Sequence, residues 1–219
     1  MNINELLKSI PRNGVLSIIE RDLESNGELF GLLLLKKLLE EGKTVFVIVY
    51  DPILVFKENL EILGVDFEGV LGKNLFVFDV FGSIHRIERD FDGVYQVKGY
   101  IDDSVFVSKF RELLLNVMKG RNDAKELWFF TYLSSSVCKL FSKPIKTYKL
   151  ILSAKYESKH CVEDIRAVAI YNSWECPELE GIIYSYSDIV IETFFKDGQK
   201  VGIITKGGEE IIFDLFGGD

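Results

Sequence analysis

The stretch from Val15 to Asp51, VLSIIERDLESNGELFGLLLLKKLLEEGKTVFVIVYD, decides the fold. Val15 to Glu20 is a β-rich apolar run. Glu28 to Glu41 is dense in leucine, with Lys36, Lys37, Glu40 and Glu41 as a polar stripe near its end, which predicts a helix. Gly42 stops that helix, because glycine enters the left-handed region that closes a helix without steric cost. Thr44 to Tyr50 is an uninterrupted β-branched and aromatic strand, the kind buried on both faces of a parallel sheet. The loop between the first strand and the helix is acidic. Glu20, Asp22, Glu24 and Glu28 stand there against the single base Arg21.

The same alternation continues outward. Asp51-Pro52 breaks the second strand, and Ile53 to Leu63 resumes helical spacing before Gly64. Leu75 to Val80 reads as a third strand, and Phe106, Phe110, Leu113, Leu114 and Val117 fall on one face of an amphipathic helix. Leu127 to Tyr132 is a fourth strand. Ile145, Tyr148, Leu152 and Tyr156 line one side of a further helix, Ile165 to Tyr171 makes a fifth strand, and Pro177 to Tyr186 a short helix. Three strands close the chain: Asp188 to Phe195, Lys200 to Thr205 and Glu210 to Leu215. Asp197-Gly198 and Gly207-Gly208 between them are hairpin signals. The order predicts an α/β fold: one domain over residues 1–219, a mainly parallel central sheet with helices on both faces, and an antiparallel C-terminal hairpin. Val15 to Glu20, Thr44 to Tyr50 and Leu127 to Tyr132 are expected as neighbours in that sheet.

Composition narrows the function classes. A chain of 219 residues that is 47% hydrophobic can bury a substantial core. No apolar run approaches the roughly 20 residues needed to cross a bilayer, and the N-terminus lacks the apolar stretch of a signal peptide, so a cytoplasmic protein without membrane contact is expected. Cys138, Cys161 and Cys176 are widely spaced and form no CxxC pair, and are expected to be reduced thiols. His160 beside Cys161 is half a metal site at most, with only His85 elsewhere, and no metal is expected. The formal charge of −8 argues against a general nucleic-acid binder. One segment departs from that balance: Lys139, Lys143, Lys146, Lys149, Lys155 and Lys159 face a single acid, Glu157. The run is either a docking patch for an acidic partner or a solvated helix face. Seventeen phenylalanines and nine tyrosines exceed the needs of a small core, so some are expected on a binding surface. Abundant Lys, Glu, Ile and Val with few glutamines point to a thermophile.

The chain resembles the RecA superfamily, and within it the KaiC-like and RadA-like proteins of archaea and bacteria, from about Gly14 to the C-terminus. Val15 to Asp51 matches the strand, phosphate loop, helix and second strand of that family in length and register. YSDIVIET (Tyr186 to Thr193) resembles its aspartate-containing segment entering the last core strand, and KVGIITKGGEEIIFDL its terminal hairpin. YNS (Tyr171 to Ser173) sits where RadA-like proteins carry an asparagine-led sensor. The resemblance implies assembly into rings or filaments, hence a homo-oligomer.

The family's phosphate loop, GxxxxGK[ST], falls on Arg21 to Glu28. Its glycines let backbone N–H groups close around phosphate, its lysine neutralises the terminal phosphates, and its hydroxyl ligates magnesium. Here Arg21 and Asn26 stand for the glycines, Gly27 for the lysine and Glu28 for the hydroxyl residue. The loop is also net negative, and two like charges about 4 Å apart repel by roughly 4 kcal/mol at an intermediate dielectric. Glu28 in the first turn complements the helix dipole with no phosphate present. Where KaiC-like ATPases place paired acids after the second strand, this chain has Tyr50 and Asp51, and Asp51 reads more readily as a turn former and helix N-cap. The magnesium-associated aspartate that should end LWFFT is Thr131, and Asp79 lies on an earlier strand where the family's acid is mainly structural. Two readings stand: a non-catalytic RecA-like module, with no cofactor, that binds a protein or peptide partner; or a divergent nucleotide-binding protein using a crevice formed by Arg21, Asp22, Glu24, Asn26, Gly27 and Glu28 with Asp51, Thr131 and Asn172 at its floor.

Overall fold

The computed structural model describes residues 2–99, 102–119, 125–133, 136–158 and 162–217. Their apolar runs pair side by side in one nine-stranded sheet. In chain order the elements of the first half are α1 (Ile3–Ser9), β1 (Val15–Glu20), α2 (Gly27–Glu40), β2 (Val45–Val49), α3 (Ile53–Ile62), α4 (Phe67–Val70), β3 (Leu75–Asp79), α5 (Val80–His85), β4 (Val94–Tyr95) and α6 (Asp103–Lys119). The second half supplies β5 (Glu126–Leu133), α7 (Ser136–Leu140), α8 (Pro144–Ser158), β6 (Asp164–Asn172), α9 (Glu180–Tyr186), β7 (Ile189–Lys196), β8 (Gln199–Lys206) and β9 (Ile212–Asp214). Spatial order is β4-β3-β2-β5-β6-β1-β7-β8-β9, parallel from β4 to β7 and antiparallel from β7 to β9. The expected α/β class and antiparallel C-terminal edge are therefore present. β6 lies between β5 and β1, so β1, β2 and β5 share the sheet without all being adjacent.

Period-two alternation sorts each strand between two apolar layers. On one face Leu16, Ile18, Val47, Val49, Phe130 and Val168 pack under α1, α2, α3 and α4. On the other Ile19, Phe46, Ile48, Phe76, Phe78 and Phe129 pack under α5 to α9. This second layer absorbs most of the buried aromatic residues. Phe46 lies within 5.1–5.9 Å, centroid to centroid, of Phe76, Phe78 and Phe129, and Phe78 continues to Phe110 at 5.3 Å. The aromatic surplus is thus mainly a core feature, because rings on three adjacent strands fill the space beneath α6.

Several local expectations change in three dimensions. Asp197 and Gly198 both have positive φ, as a two-residue hairpin turn requires. Gly207-Gly208 makes no such turn, and β8 reaches β9 through a longer loop. Gly207 is instead a close-approach glycine, since a Cβ there would stand 2.2 Å from the Asp188 carbonyl oxygen. The buried side of α8 is Thr147, Tyr148, Ile151, Ala154 and Lys155, while Ile145 and Tyr156 face outward. That face is set by Asp103 of α6, which accepts from the Ser142 and Lys143 N–H groups and from the Ser142 and Thr147 hydroxyls, fixing how α8 starts. Burial works to raise the Asp103 pKa, and these hydrogen bonds outweigh it, so the carboxyl is held below its ordinary value.

The cysteines also differ from expectation. Cys138 and Cys176 are joined in a disulfide, with Cα atoms 5.7 Å apart and a sequence separation of 38. Parallel pairing of β5 with β6 explains the meeting, because it delivers the segments that follow both strands to the same edge of the sheet. Cys161 and His160 lie outside the described residues. No helix among the described residues is long and apolar enough to cross a membrane.

Tyr50, which follows β2 where the resemblance calls for an acid, is fully buried with its ring edge-on to Phe141. Its hydroxyl has no hydrogen-bond partner among the described residues. Tyr50→Phe removes a buried unsatisfied group, so urea unfolding should show stability unchanged or higher by ~1 kcal/mol. A loss of that size would mean that the hydroxyl is bonded.

Candidate functional site

Ligands of open α/β sheets bind beyond the carboxyl ends of the parallel strands. Here that edge is closed by the protein's own acid. Glu20 ends β1, on the face that carries α2, and is only 3% exposed. Its Oε2 accepts a 3.0 Å hydrogen bond from the Asn172 side-chain amide at the end of β6. Its Oε1 faces the Glu28 N–H at 3.4 Å, and the Gly27 N–H also points at the carboxylate. These are the first N–H groups of α2, the position at which a helix N-terminus receives a phosphate. Burial raises the Glu20 pKa most strongly, the two N–H groups and the Asn172 amide act against it, and the result is a carboxyl above its ordinary value.

The loop is built to hold this arrangement. Asp22 caps the 3-10 turn Leu23–Ser25 by accepting from the Glu24 N–H at 2.9 Å, while Glu24 itself is exposed. Asn26 adopts φ 55°, the left-handed conformation that asparagine tolerates best after glycine, so the chain enters α2 without the family's glycine. Gly27 stands where the phosphate-binding lysine would be, and a Cβ there would lie 2.4 Å from Thr193 Oγ1 and 3.3 Å from the Glu20 Cβ. Thr193 is fully buried and bonded to Ser25 Oγ at 2.8 Å, so any side chain at position 27 must displace it. Arg21, the loop's only base, turns away and forks to Glu180 at 2.7 Å and Glu192 at 2.8 Å.

Asn172 has a second task. Its side-chain oxygen accepts from the Trp174 and Glu175 N–H groups at 3.0 and 3.3 Å, shaping the turn after β6. Trp174 is 74% exposed, yet its indole N–H donates to the Arg21 carbonyl at 2.6 Å. Glu28 is half-buried beside these groups. Burial first, then the charges of Glu20, Asp51 and Glu175, push its carboxyl up to about 7.

The structure brings Arg21, Asp22, Glu24, Asn26, Gly27, Glu28 and Asn172 into one neighbourhood, with Asp51 close enough to act on Glu28. Pro52, and not Asp51, occupies the N-cap position of α3, which corrects the cap role expected of Asp51. Thr131 stands apart. It pairs with Ala169 and Ile48, three residues short of the level of Asn172, or about 10 Å along the strand. Asp79 is a structural acid, 1% exposed, accepting from the Gly82 N–H at 2.7 Å and from Gln96 at 2.9 Å. Of the basic run, Lys139, Lys143, Lys146 and Lys149 are exposed. Lys155 is buried and donates to the carbonyls of Asn13 and Gly14 at 3.2 and 3.3 Å, which removes it from any docking patch, and Lys159 lies outside the described residues. Sequence reasoning missed Glu20 and Thr193 as parts of the site. A charged residue ending a mostly apolar strand was the available signal for Glu20; no comparable signal marked Thr193.

The fold so defined is RecA-like and KaiC-like. The chain is similar to the Pyrococcus horikoshii protein PH0321, solved in complex with an unknown peptide, with TM-score 0.77 and 19% identity over 97% of this chain and 96% of that one. It is similar to the KaiC-like protein PH0186 of the same organism at TM-score 0.60 and 18% identity, over 94% of this chain and 84% of that one. The flagellar accessory protein FlaH of Methanocaldococcus jannaschii matches at TM-score 0.58 and 16% identity, over 98% and 92%. No protein-family model matches the sequence, and no curated protein matches it.

The raised Glu28 pKa sets a pH dependence. In the unfolded chain the carboxyl ionises near its ordinary value of 4.5, and in the folded protein at about 7. Stability from this group is full below the lower value and is lost as pH rises to the upper one, because ionisation is disfavoured only in the folded state. Glu28→Gln removes that loss. Thermal melts from pH 4.5 to 8 should show the variant gaining on the native protein by about 1–2 kcal/mol across the window. Parallel curves would mean that Glu28 is not crowded by Glu20, Asp51 and Glu175.

Proposed function

We propose that this chain is a non-catalytic RecA/KaiC-like module that acts in protein assembly, in binding a protein or peptide partner, or in regulation. The observation that carries this reading is the Glu20 carboxylate at the N-terminus of α2. A phosphate and this carboxylate compete for the same N–H groups, and both are anions. Gly27 adds a steric reason, since the lysine that would neutralise a terminal phosphate has no room beside Thr193. Thr131 and Tyr50 supply no carboxylate to hold magnesium or orient water. The unknown peptide solved with PH0321 supports the partner-binding side of the reading for a chain of the same fold. Self-association, implied by the family resemblance, belongs to the same proposal.

A ligand that binds only the folded state raises stability by RT ln(1 + [L]/Kd), about 2.7 kcal/mol at a hundredfold excess over Kd. Millimolar Mg-ATP or Mg-GTP should therefore leave the melting temperature unchanged, and no phosphate should be released. Light scattering at micromolar concentration should show a particle larger than the 25.0 kDa chain. A nucleotide-dependent rise in melting temperature, or phosphate release abolished by changing Asp51, would replace this reading with that of a divergent nucleotide-binding enzyme.

A further inference from the structure

Cys138 and Cys176 meet where β5 and β6 end, and a third donor stands with them. Glu178 Oε2 lies 3.1 Å from Cys138 Sγ, and the two sulfurs and a Glu178 carboxylate oxygen all fall within 4.8 Å of one another. Among the described residues no other three Cys, His, Asp or Glu side chains gather in a way that can hold one ion. The carboxylate gains no hydrogen bond from a disulfide, whose sulfurs carry no proton to donate. Toward a thiol it is an acceptor, and toward a cation it is a ligand.

The backbone sets these donors in place. Cys176 is 1% exposed, and its carbonyl accepts from the buried Tyr171 hydroxyl at 2.7 Å and from the Leu179 N–H at 3.1 Å. Glu178 follows two residues later in the 3-10 turn Pro177–Leu179 that Pro177 opens. Cys138 is half-buried on α7, beside the fully buried Val137. Glu178 is exposed, so the group opens to solvent on that side and an ion has an entry path.

The donor set selects the cation. Two thiolates and a carboxylate are zinc ligands, whereas magnesium and calcium take oxygen. We propose that Cys138 and Cys176 in their reduced form bind one zinc ion together with Glu178, water taking the fourth tetrahedral position, and that this site and the disulfide are alternative states of the same pair. A thiol reductant supplies the conversion: two of its S–H groups become one disulfide, and the protein's S–S bond becomes two S–H groups. Zinc then displaces those two protons and takes both sulfurs as thiolates. Either state ties α7 to the turn after β6, so the link survives reduction wherever zinc is present. This site is independent of the partner-binding reading.

The test compares the full chain oxidised and after reduction by a water-soluble phosphine, which becomes its oxide with oxygen from water. Zinc is titrated against a chromophoric chelator, and cobalt(II) is used in its place for absorption spectra. The reduced chain should bind one zinc, melt at a higher temperature with it, and show sulfur-to-cobalt charge-transfer bands; the oxidised chain should do none of these. Cys138→Ser and Cys176→Ser should each lose zinc binding, and Cys161→Ser should keep it. Glu178→Gln should weaken zinc by about tenfold or more, at least the effect of losing an outer partner of a metal site. Glu178 is exposed, so circular dichroism should show that variant folded, and it carries the decision if a serine variant fails to fold. Equal zinc binding by both forms, no zinc on the reduced chain, a reduced chain that unfolds with or without zinc, loss of binding in Cys161→Ser, or an unchanged affinity in Glu178→Gln would each overturn the proposal.

Discussion

A buried carboxylate at the start of α2 governs how the loop, the crevice and the neighbouring strand ends are arranged. An isolated ionised acid in such a place costs several kcal/mol unless hydrogen bonds replace its lost water. Glu20 has those bonds: the amide of Asn172 on one oxygen and the first N–H groups of α2 on the other. The helix N-terminus needs a negative partner, and the chain provides one internally. From this follow the buried contact of Gly27 with Thr193, the outward fork of Arg21 and the residual crowding at Glu28. A nucleotide hydrolase leaves this slot vacant for its ligand. Here the chain's own carboxyl, hydrogen-bonded to Asn172 and to the start of α2, stands at that slot.

The strands and helices were legible because their signals are local. Val45 to Val49 is apolar at every position because both faces are covered, and Gly42 and Gly64 end their helices with positive φ, as glycine permits. The loop's departure from the family's phosphate-binding residues is also read directly from the sequence, where Arg21, Asn26, Gly27 and Glu28 stand in place of glycine, glycine, lysine and a hydroxyl residue. What fills the loop is not. Counting Glu20 among the loop's acids treats it as a repulsive charge, whereas its partner Asn172 lies 152 residues away and only the parallel pairing of β1 with β6 brings the two together. Thr131 shows the same limit. A strand's last residue is easy to name, but its height in the sheet depends on register with Ile48 and Ala169.

Long-range geometry also reassigned residues that local pattern placed on the surface. Lys155 belongs to a basic run, yet its stem crosses the apolar layer and its ammonium reaches two backbone carbonyls before β1. Cys138 and Cys176 are far apart in sequence and joined in space, for the reason that the same parallel pairing gives. In each case the sequence names the residue type and the topology decides its partner.

That topology constrains synthesis. β1 leaves the ribosome well before either of its neighbours, β6 (Asp164–Asn172) and β7 (Ile189–Lys196), has been made. At translation speeds of about 5–20 residues per second, β1 waits on the order of ten seconds with both hydrogen-bonding edges open. During that interval α2 has no Asn172 to orient Glu20 against its N-terminus. The nascent protein therefore passes through a stage in which a strand destined for burial is an unpaired template, and the later arrival of β6 and β7 on its two edges converts an aggregation hazard into an interior strand of the sheet.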